Sequence, residues 1–368
     1  MASPSSLATT GPVLGVVIVT FNSADVILDC LESLLAASGV RLRIVVVDNA
    51  SADGTPDLLR AWAAGTVSYA PPVDLPFALA VAKKPLTLLP ALPPPGAAGH
   101  SLTLIEASVN GGYAAGVNPG LALLLHDSEI DRFWILNPDS VVPAHTPRAF
   151  ATEPGPDGGF ALMGGRVIYL DRPDMIQIDG GLLNPYTGIT GNANLGLSHA
   201  VTPPPDPADL TFVMGGNMIA ARAFCEGAGP LPEDYFLYYE EVDWALRRGG
   251  LPLAYCKDAI VYHRAGTAIG SPTLERIASA FSIYFKHRAR MRFMRKHFPQ
   301  NLATAYAYSC AKAAQLLVKG YPTEARALLA ASFDRPPPSA VRARLSPEAA
   351  RLAFDVPKTG GKSWAQGR

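Results

Sequence analysis

Four segments of this 368-residue chain carry residue types able to do chemistry. Asp48 ends the apolar run at 44–47. Asp139 follows the apolar run FWIL within Asn137-Pro138-Asp139. Glu240, Glu241 and Asp243 stand within four positions of one another in YFLYYEEVDWALRR (235–248), and His263 closes AIVYH. A carboxylate at the carboxyl end of a buried strand lies where open parallel sheets place their ligand crevices. Hard oxygen ligands there suit magnesium or manganese bridging two phosphates. Crowded, partly buried acids have raised proton affinity, which suits a general base. A ring nitrogen at 263 could complete a metal site with Asp139. Each feature also has a plain structural reading: an Asx-turn or cap for Asp48, a proline-stabilised turn for Asp139, an acidic first helical turn for the triple, and a structural histidine. Successive helix residues point about 100° apart, so Glu240 and Glu241 cannot both face one substrate.

The elements that must position these residues are legible from periodicity. The run VLGVVIVT (13–20) is continuous and β-branched, as expected of a strand buried on both faces. Apolar residues recur at helical spacing across 23–38, where Gly39 provides a stop, and a second buried strand covers 44–47. Strand, helix and strand in this span make a βαβ unit and predict an α/β fold. A second such unit follows, with a strand at 102–107, a Gly/Asn-rich turn NGGYAAGVN at 110–118, an apolar helix to about Leu125, and a strand at 133–136. Residues 70–100 are proline-rich and read as an insertion. Residues 272–330 read as a basic helical extension, and 1–12 and 331–368 as poorly ordered ends.

Net charge is zero, with 31 Lys/Arg and 31 Asp/Glu, so nothing global points to nucleic acid. From Pro272 onward there are 17 basic against 5 acidic residues, and before it 14 against 26. The stretch FKHRARMRFMRKHF (285–298) carries six Lys/Arg and no acid, which fits either a membrane-surface helix or a helix packed on the acidic body. Four scattered cysteines show no metal-ligand spacing, and reduced thiols in a cytoplasmic protein are expected. No export signal and no spanning segment is expected from the pattern. GxGxxG and P-loop patterns are missing, which removes the main support for a nicotinamide dinucleotide site.

Taken in order, VVIVTFNSADVILDCLESL (16–34), IVVVDNASADGT (44–55), NGGYAAGVNPG (110–120), ILNPDS (135–140), VMGGNMIAARAF (213–224), EDYFLYYEEVDWALR (233–247) and AIVYHRAGTAIGS (259–271) resemble family 2 glycosyltransferases of the GT-A fold. The branch is that of bacterial rhamnosyltransferases and galactofuranosyltransferases. The resemblance implies a Rossmann-like, mostly parallel central sheet flanked by helices over 13–271. It implies that Thr20, Asn22 and Asp48 line a nucleotide base pocket, with Asn110 and Asn118 nearby. Asn137 and Asp139 take the place of the family's DxD motif. Asp139 and His263 would hold a divalent metal, Mg2+ or Mn2+, and Glu241 would be the catalytic base. Two departures stand out: Asn137 replaces an acid, and Glu241 is one methylene longer than the usual Asp.

The implied reaction moves a sugar, rhamnose as the first expectation, from a dTDP- or UDP-sugar to a saccharide or lipid-linked saccharide at the inner face of the plasma membrane. Two alternatives remain: a sugar nucleotidyltransferase, whose Gly-rich loop is missing after the first strand, and a nucleotide-sugar-binding scaffold without catalysis. The retained Glu241, Asp139 and His263 argue against the scaffold.

Overall fold

The computed structural model describes residues 11–264 and 277–355. Expectations for 1–10, for the end of AIVYHRAGTAIGS and for 356–368 lie outside these residues. The chain opens with β1 (Val13–Thr20), α1 (Ile27–Leu35), β2 (Arg41–Asp48) and α2 (Thr55–Ala64). After the proline-rich segment come β3 (Leu88–Leu89), β4 (Ser101–Glu106), α3 (Tyr113–Leu125), β5 (Ile130–Leu136), β6 (Ser140–Val141) and α4 (Thr146–Thr152). A less regular stretch follows with β7 (Leu162–Tyr169), β8 (Arg172–Ile178), β9 (Gly181–Leu183), β10 (Thr190–Asn192), β11 (Asn217–Ala221), α5 (Arg222–Ala228), α6 (Glu240–Leu246) and β12 (Ala254–His263). The helices α7 (Ala280–His297), α8 (Leu302–Val318), α9 (Pro322–Ser332), α10 (Ser339–Arg342) and α11 (Pro347–Ala350) complete it.

One ten-stranded sheet runs β3-β4-β2-β1-β5-β11-β7-β12-β6, with β8 beside β7. The pairs among β3, β4, β2, β1 and β5 are all parallel, whereas β11 is antiparallel to both its neighbours. Successive strands β1, β2 and β4 step one way, and β5 then returns to the other side of β1. That reversal leaves a crevice at the carboxyl ends of β1 and β5, because the flanking crossovers diverge there. Both faces of the sheet are covered, which explains the unbroken β-branched runs. Val17, Val19, Val45 and Val47 face one core with α3, and Val16, Ile18, Ile44 and Val46 face the other with α1 and α2.

Helix α3 begins at Tyr113, inside the stretch expected as a turn. Glycine is a poor helix former, but here it permits contact. A Cβ at Gly116 would meet Val19 at 2.5 Å, and one at Gly120 would meet Val17 at 2.7 Å. Close packing on β1 therefore outweighs local propensity. The proline-rich segment is nearly free of regular structure and is pinned at Glu32. This buried carboxylate accepts from Trp62 Nε1 (2.8 Å), the Ala82 amide (2.8 Å) and Lys84 Nζ (2.6 Å).

The basic stretch 285–298 forms most of α7 and is packed on the body. Phe285, Met291, Phe293, Met294 and Arg290 are all fully buried. An interfacial helix must leave its apolar side open to lipid, so the packed alternative is the one found. Among the described residues, no helix is long and apolar enough to cross a membrane. The tail expected to be poorly ordered from 331 is instead helical as far as it is described. Val341 and Ala353 join Phe285 in one apolar cluster, and Phe354 stacks on Phe285 with centroids 5.5 Å apart.

Asp243 locks α7 to α6. Its fully buried carboxylate receives Tyr235 Oη (2.7 Å), Arg247 Nε (2.8 Å) and Lys296 Nζ (2.6 Å), with His297 Nε2 at 3.0 Å. Burial disfavours the charge, but the bonds from His297 and Lys296, the Arg247 guanidinium and the Tyr235 hydroxyl more than offset it. The carboxyl is held far below its ordinary value. Such a group stabilises the fold fully above the unfolded value near pH 4, and the contribution is lost as pH falls through the lower folded value. Asp243→Asn should cost about 3–5 kcal/mol at neutral pH. Urea titrations at pH 7 and pH 3 should show a smaller difference from wild type at the lower pH.

Candidate active site

The rim of the crevice is built by loops after β1 and β2. Thr20 and Asp48 are paired across these strands and both are buried. The Asp48 carboxylate accepts from Thr20 Oγ1 (2.8 Å), Ser51 N (2.9 Å) and Ser51 Oγ (2.6 Å). The Asn22 amide donates to Ser51 Oγ (2.8 Å), while Asn22 Oδ1 accepts from Ala52 N (2.8 Å). Asn22 has φ 51°, a left-handed conformation that asparagine tolerates better than most residues. These three residues hold two loops in register, and three of the roughly four acceptor positions of Asp48 are used in doing so.

Asn49, not singled out in the sequence, extends the network. Its Nδ2 donates to Asn110 Oδ1 (3.1 Å) and to Gly112 O (2.9 Å), and Asn110 Oδ1 also accepts from Gly112 N (3.0 Å). Asn118 is turned elsewhere: its amide bonds Leu231 in both directions and Glu233 Oε1 (2.9 Å), joining α3 to the segment ahead of α6.

At the end of β5, Asp139 Oδ1 lies 3.1 Å from His263 Nε2 at the end of β12. The two residues are 124 positions apart in sequence. Their neighbouring strands are brought together by the β12–β6 pairing of His263 with Ser140. His263 Nδ1 is 2.9 Å from Gln177 Oε1, a bond that orients the ring and leaves Nε2 toward Asp139. Burial opposes charge on this imidazole, but the Asp139 carboxylate and its hydrogen bond outweigh burial and raise its proton affinity. Asn137 Nδ2 sits 3.3 Å from the same Nε2, and Asn137 Oδ1 receives Tyr113 Oη at 3.4 Å.

The pair fits a divalent cation: one hard carboxylate oxygen, one imidazole nitrogen, and a second bond on the far ring nitrogen of the kind that accompanies metal-binding histidines. Among the described residues, no group of three or more His, Cys, Asp or Glu side chains gathers. Among the described residues Asp139 and His263 are the two such ligands that stand together, and phosphate oxygens would have to supply others.

Glu241 lies across the crevice in the first turn of α6. It is half-buried, while Glu240 beside it is 2% exposed, so the two do point apart. A Cβ built on Gly215 would stand 3.4–3.6 Å from the Glu241 side chain, which places the carboxylate against the Gly215 backbone. Tyr113 Oη donates to Gly215 O (2.8 Å) and so bridges the Glu241 wall to Asn137 and the Asp139–His263 pair. Burial pushes the Glu241 carboxyl up to about 6, opposed by its own backbone amide and by the Lys286 ammonium from α7. Burial likewise pushes the Tyr113 phenol well up, reinforced by Glu240, Glu241 and Asp139, which keeps it a hydrogen-bond donor.

The chain enters α6 through Phe236, Tyr238 and Tyr239, with φ of 69°, 68° and 70°. Each such bulky residue costs about 1–3 kcal/mol unless its surroundings hold it. Here Phe236 O accepts the Tyr113 amide (2.8 Å) and its ring stacks on Phe285 at 5.0 Å. Tyr238 Oη bonds Ser282 Oγ (2.6 Å), and Tyr239 packs on Phe293 at 5.5 Å.

Of the residues singled out in the sequence, Asn137, Asp139 and His263 converge at one rim, with Glu241 joined through Gly215 and Tyr113. Thr20, Asn22, Asp48 and Asn110 organise the neighbouring loops. Tyr113, Gln177, Gly215 and Lys286 were missed. Tyr113 sits in the NGGYAAGVN segment and was within reach of motif reasoning. Gln177 lies in irregular sequence with no local signal. Gly216 offers a check on this geometry, since an added Cβ would fall 2.4 Å from Asn137 Nδ2 and 2.5 Å from its Cγ. Gly216→Ala should cost about 1–3 kcal/mol in a urea titration, and a crystal structure of the variant should show Asn137 displaced from Tyr113.

Parts of this chain are similar to known proteins. The family model described as glycosyl transferase family 2 matches residues 15–73. The succinoglycan biosynthesis protein ExoO of Rhizobium meliloti (strain 1021) is 51% identical over 45 residues, a span covering 12% of this chain and 13% of that protein. Among solved structures, the mannosyltransferase PcManGT from Pyrobaculum calidifontis, in complex with GDP-Man and Mn2+, has a TM-score of 0.49 at 17% identity, over 89% of this chain and 88% of that one. S. aureus TarS 1-349 in complex with UDP-GlcNAc has a TM-score of 0.48 at 14% identity, over 93% and 88%. Residues 15–73, which build β1, α1, β2 and α2 and carry Thr20, Asn22 and Asp48, are the part of the chain that matches the family 2 glycosyl transferase model.

Proposed function

We propose that this chain is an inverting, metal-dependent glycosyltransferase that moves a sugar from a nucleoside diphosphate carrier to a hydroxyl of a saccharide or lipid-linked saccharide. The observation that carries the reading is the convergence of a carboxylate–imidazole pair suited to a cation, Asp139 and His263, with a half-buried carboxylate of raised proton affinity, Glu241, joined to it through Gly215, Tyr113 and Asn137. Rhamnose on a deoxythymidine diphosphate carrier is the first candidate donor, with UDP-sugars next, and surface polysaccharide assembly is the setting.

The chemistry follows from the placement of charge. Glu241 accepts the proton of the acceptor hydroxyl as that oxygen attacks the anomeric carbon. The bond from this carbon to the diphosphate oxygen breaks with its electron pair leaving on the diphosphate, so the configuration inverts in one displacement. A divalent cation held by Asp139 and His263 would supply positive charge where the leaving group gains negative charge. Asn137 and Tyr113 keep the two walls at a fixed separation. Gly215 brings backbone against Glu241, which keeps water from the carboxylate and raises its basicity.

Two measurements test this reading. Glu241→Gln should lower kcat at least about 100-fold while nucleotide-sugar affinity stays near wild type. In the wild-type enzyme, kcat should rise with pH through about 6, since the base works only when ionised. Asp139→Ala should instead weaken donor binding in calorimetry with manganese and leave the metal-free titration little changed. Equal turnover in Glu241→Gln would refute the base assignment.

A further inference from the structure

The six Lys/Arg of 285–298 are not equivalent. Arg288 bonds Ala353 O, Arg290 bonds Thr187 O and Ser309, and Arg292 bonds Asp234 O. Arg295 pairs with Asp334 (2.8 Å), and Lys296 with Asp243. Lys286 differs: among the described residues, no carboxylate comes within ion-pair distance of it, although it is half-buried. Its place on α7 says what it faces. Ser282, one turn earlier on the same strip, bonds Tyr238, and Phe293, two turns later, packs on Tyr239. The strip between them looks onto the left-handed run that delivers Glu241.

We propose that Lys286 is a positioning residue for Glu241: α7 carries its ammonium into the crevice wall as the counter-charge against which that carboxylate is set. The proposal rests on the reading of Glu241 as the base, and it makes the C-terminal helices part of the reacting centre. Three titratable groups from other elements are close enough to Glu241 for charge to be felt, Tyr113 from α3, Tyr239 from the entering loop and Lys286 from α7, while Glu240, its neighbour on α6, points away. Burial pushes both phenols up, so they stay neutral, and Glu240 adds no positive charge. Lys286 is the cation of the set. It lowers the proton affinity that burial raises in Glu241, and Glu241 in turn raises that of Lys286, which burial lowers. A base left to burial alone would be protonated over more of the neutral range.

The test does not need the substrate. Full-length protein labelled with 13C at the glutamate carboxyl carbons is titrated by NMR, with Glu241→Gln identifying the resonance. In Lys286→Met, and in Lys286→Gln should the first fold poorly, the Glu241 midpoint should move upward by about one pH unit, as loss of a close opposite charge requires. Lys286→Arg should leave it within a few tenths of wild type. Turnover of a nucleotide sugar, once identified, should follow: about fivefold lower in Lys286→Met at pH 6 and recovering by pH 8, with affinity for UDP and manganese unchanged. An unmoved or lowered midpoint in Lys286→Met overturns the proposal. Full turnover in Glu241→Gln would instead overturn the base reading while leaving this titration valid.

Discussion

Asp243 is the contact on which the reacting side of the molecule depends. A carboxylate with no access to water keeps its charge because Tyr235, Arg247, Lys296 and His297 converge on it from two helices and a loop. It lies two residues from Glu241, on the same short helix. Seven residues of helix have little stability of their own, so the orientation of Glu241 is borrowed from α7. The left-handed run at 236–239 depends on the same helix, through ring stacking by Phe285 and the Ser282 hydroxyl. A helix whose composition fitted either a membrane surface or a packed position is thus the buttress of the reacting side.

The opposite wall is held differently. There the sheet itself does the positioning: β5 returns beside β1, and β12 brings His263 to the end of β6. Strand ends in a packed sheet move little, which keeps the Asp139–His263 pair at a fixed distance. Thr20, Asp48, Ser51 and Asn22 stiffen the adjoining loops by satisfying one another. Tyr113 spans the two walls, donating to Gly215 and touching Asn137, and so couples the sheet-borne side to the helix-borne side. Glycine at 216 lets backbone approach Asn137 where a side chain would push it away, whereas a Cβ at 215 would stand in ordinary contact with Glu241.

Much of this was legible in the residues. Continuous β-branched runs announced strands covered on both faces, and Asp48, Asp139 and His263 could be placed at strand ends from local pattern. The start of α3 was not legible, because Gly111, Gly112 and Gly116 read as turn until the contacts with Val19 and Phe236 are known. Nor was the order of the tail beyond 331, where prolines at 336–338 suggested irregularity but Val341, Ala353 and Phe354 find an apolar surface on α7. The basic stretch 285–298 admitted two readings, since periodicity alone does not say whether an apolar face meets protein or lipid.

The sequence by itself determined the strand and helix types, the α/β class and the positions of the ionisable groups, because these follow from local periodicity and from which residues end each run. Only the tertiary structure decided which of those groups meet. Asp139 and His263 are joined by a strand pairing across more than a hundred residues, Glu240 and Glu241 are separated by the rotation of one helical step, and Lys286 is singled out from its basic neighbours by what each finds opposite it. Proximity between distant parts of a chain is set by packing and strand order, and neither is written in any local stretch.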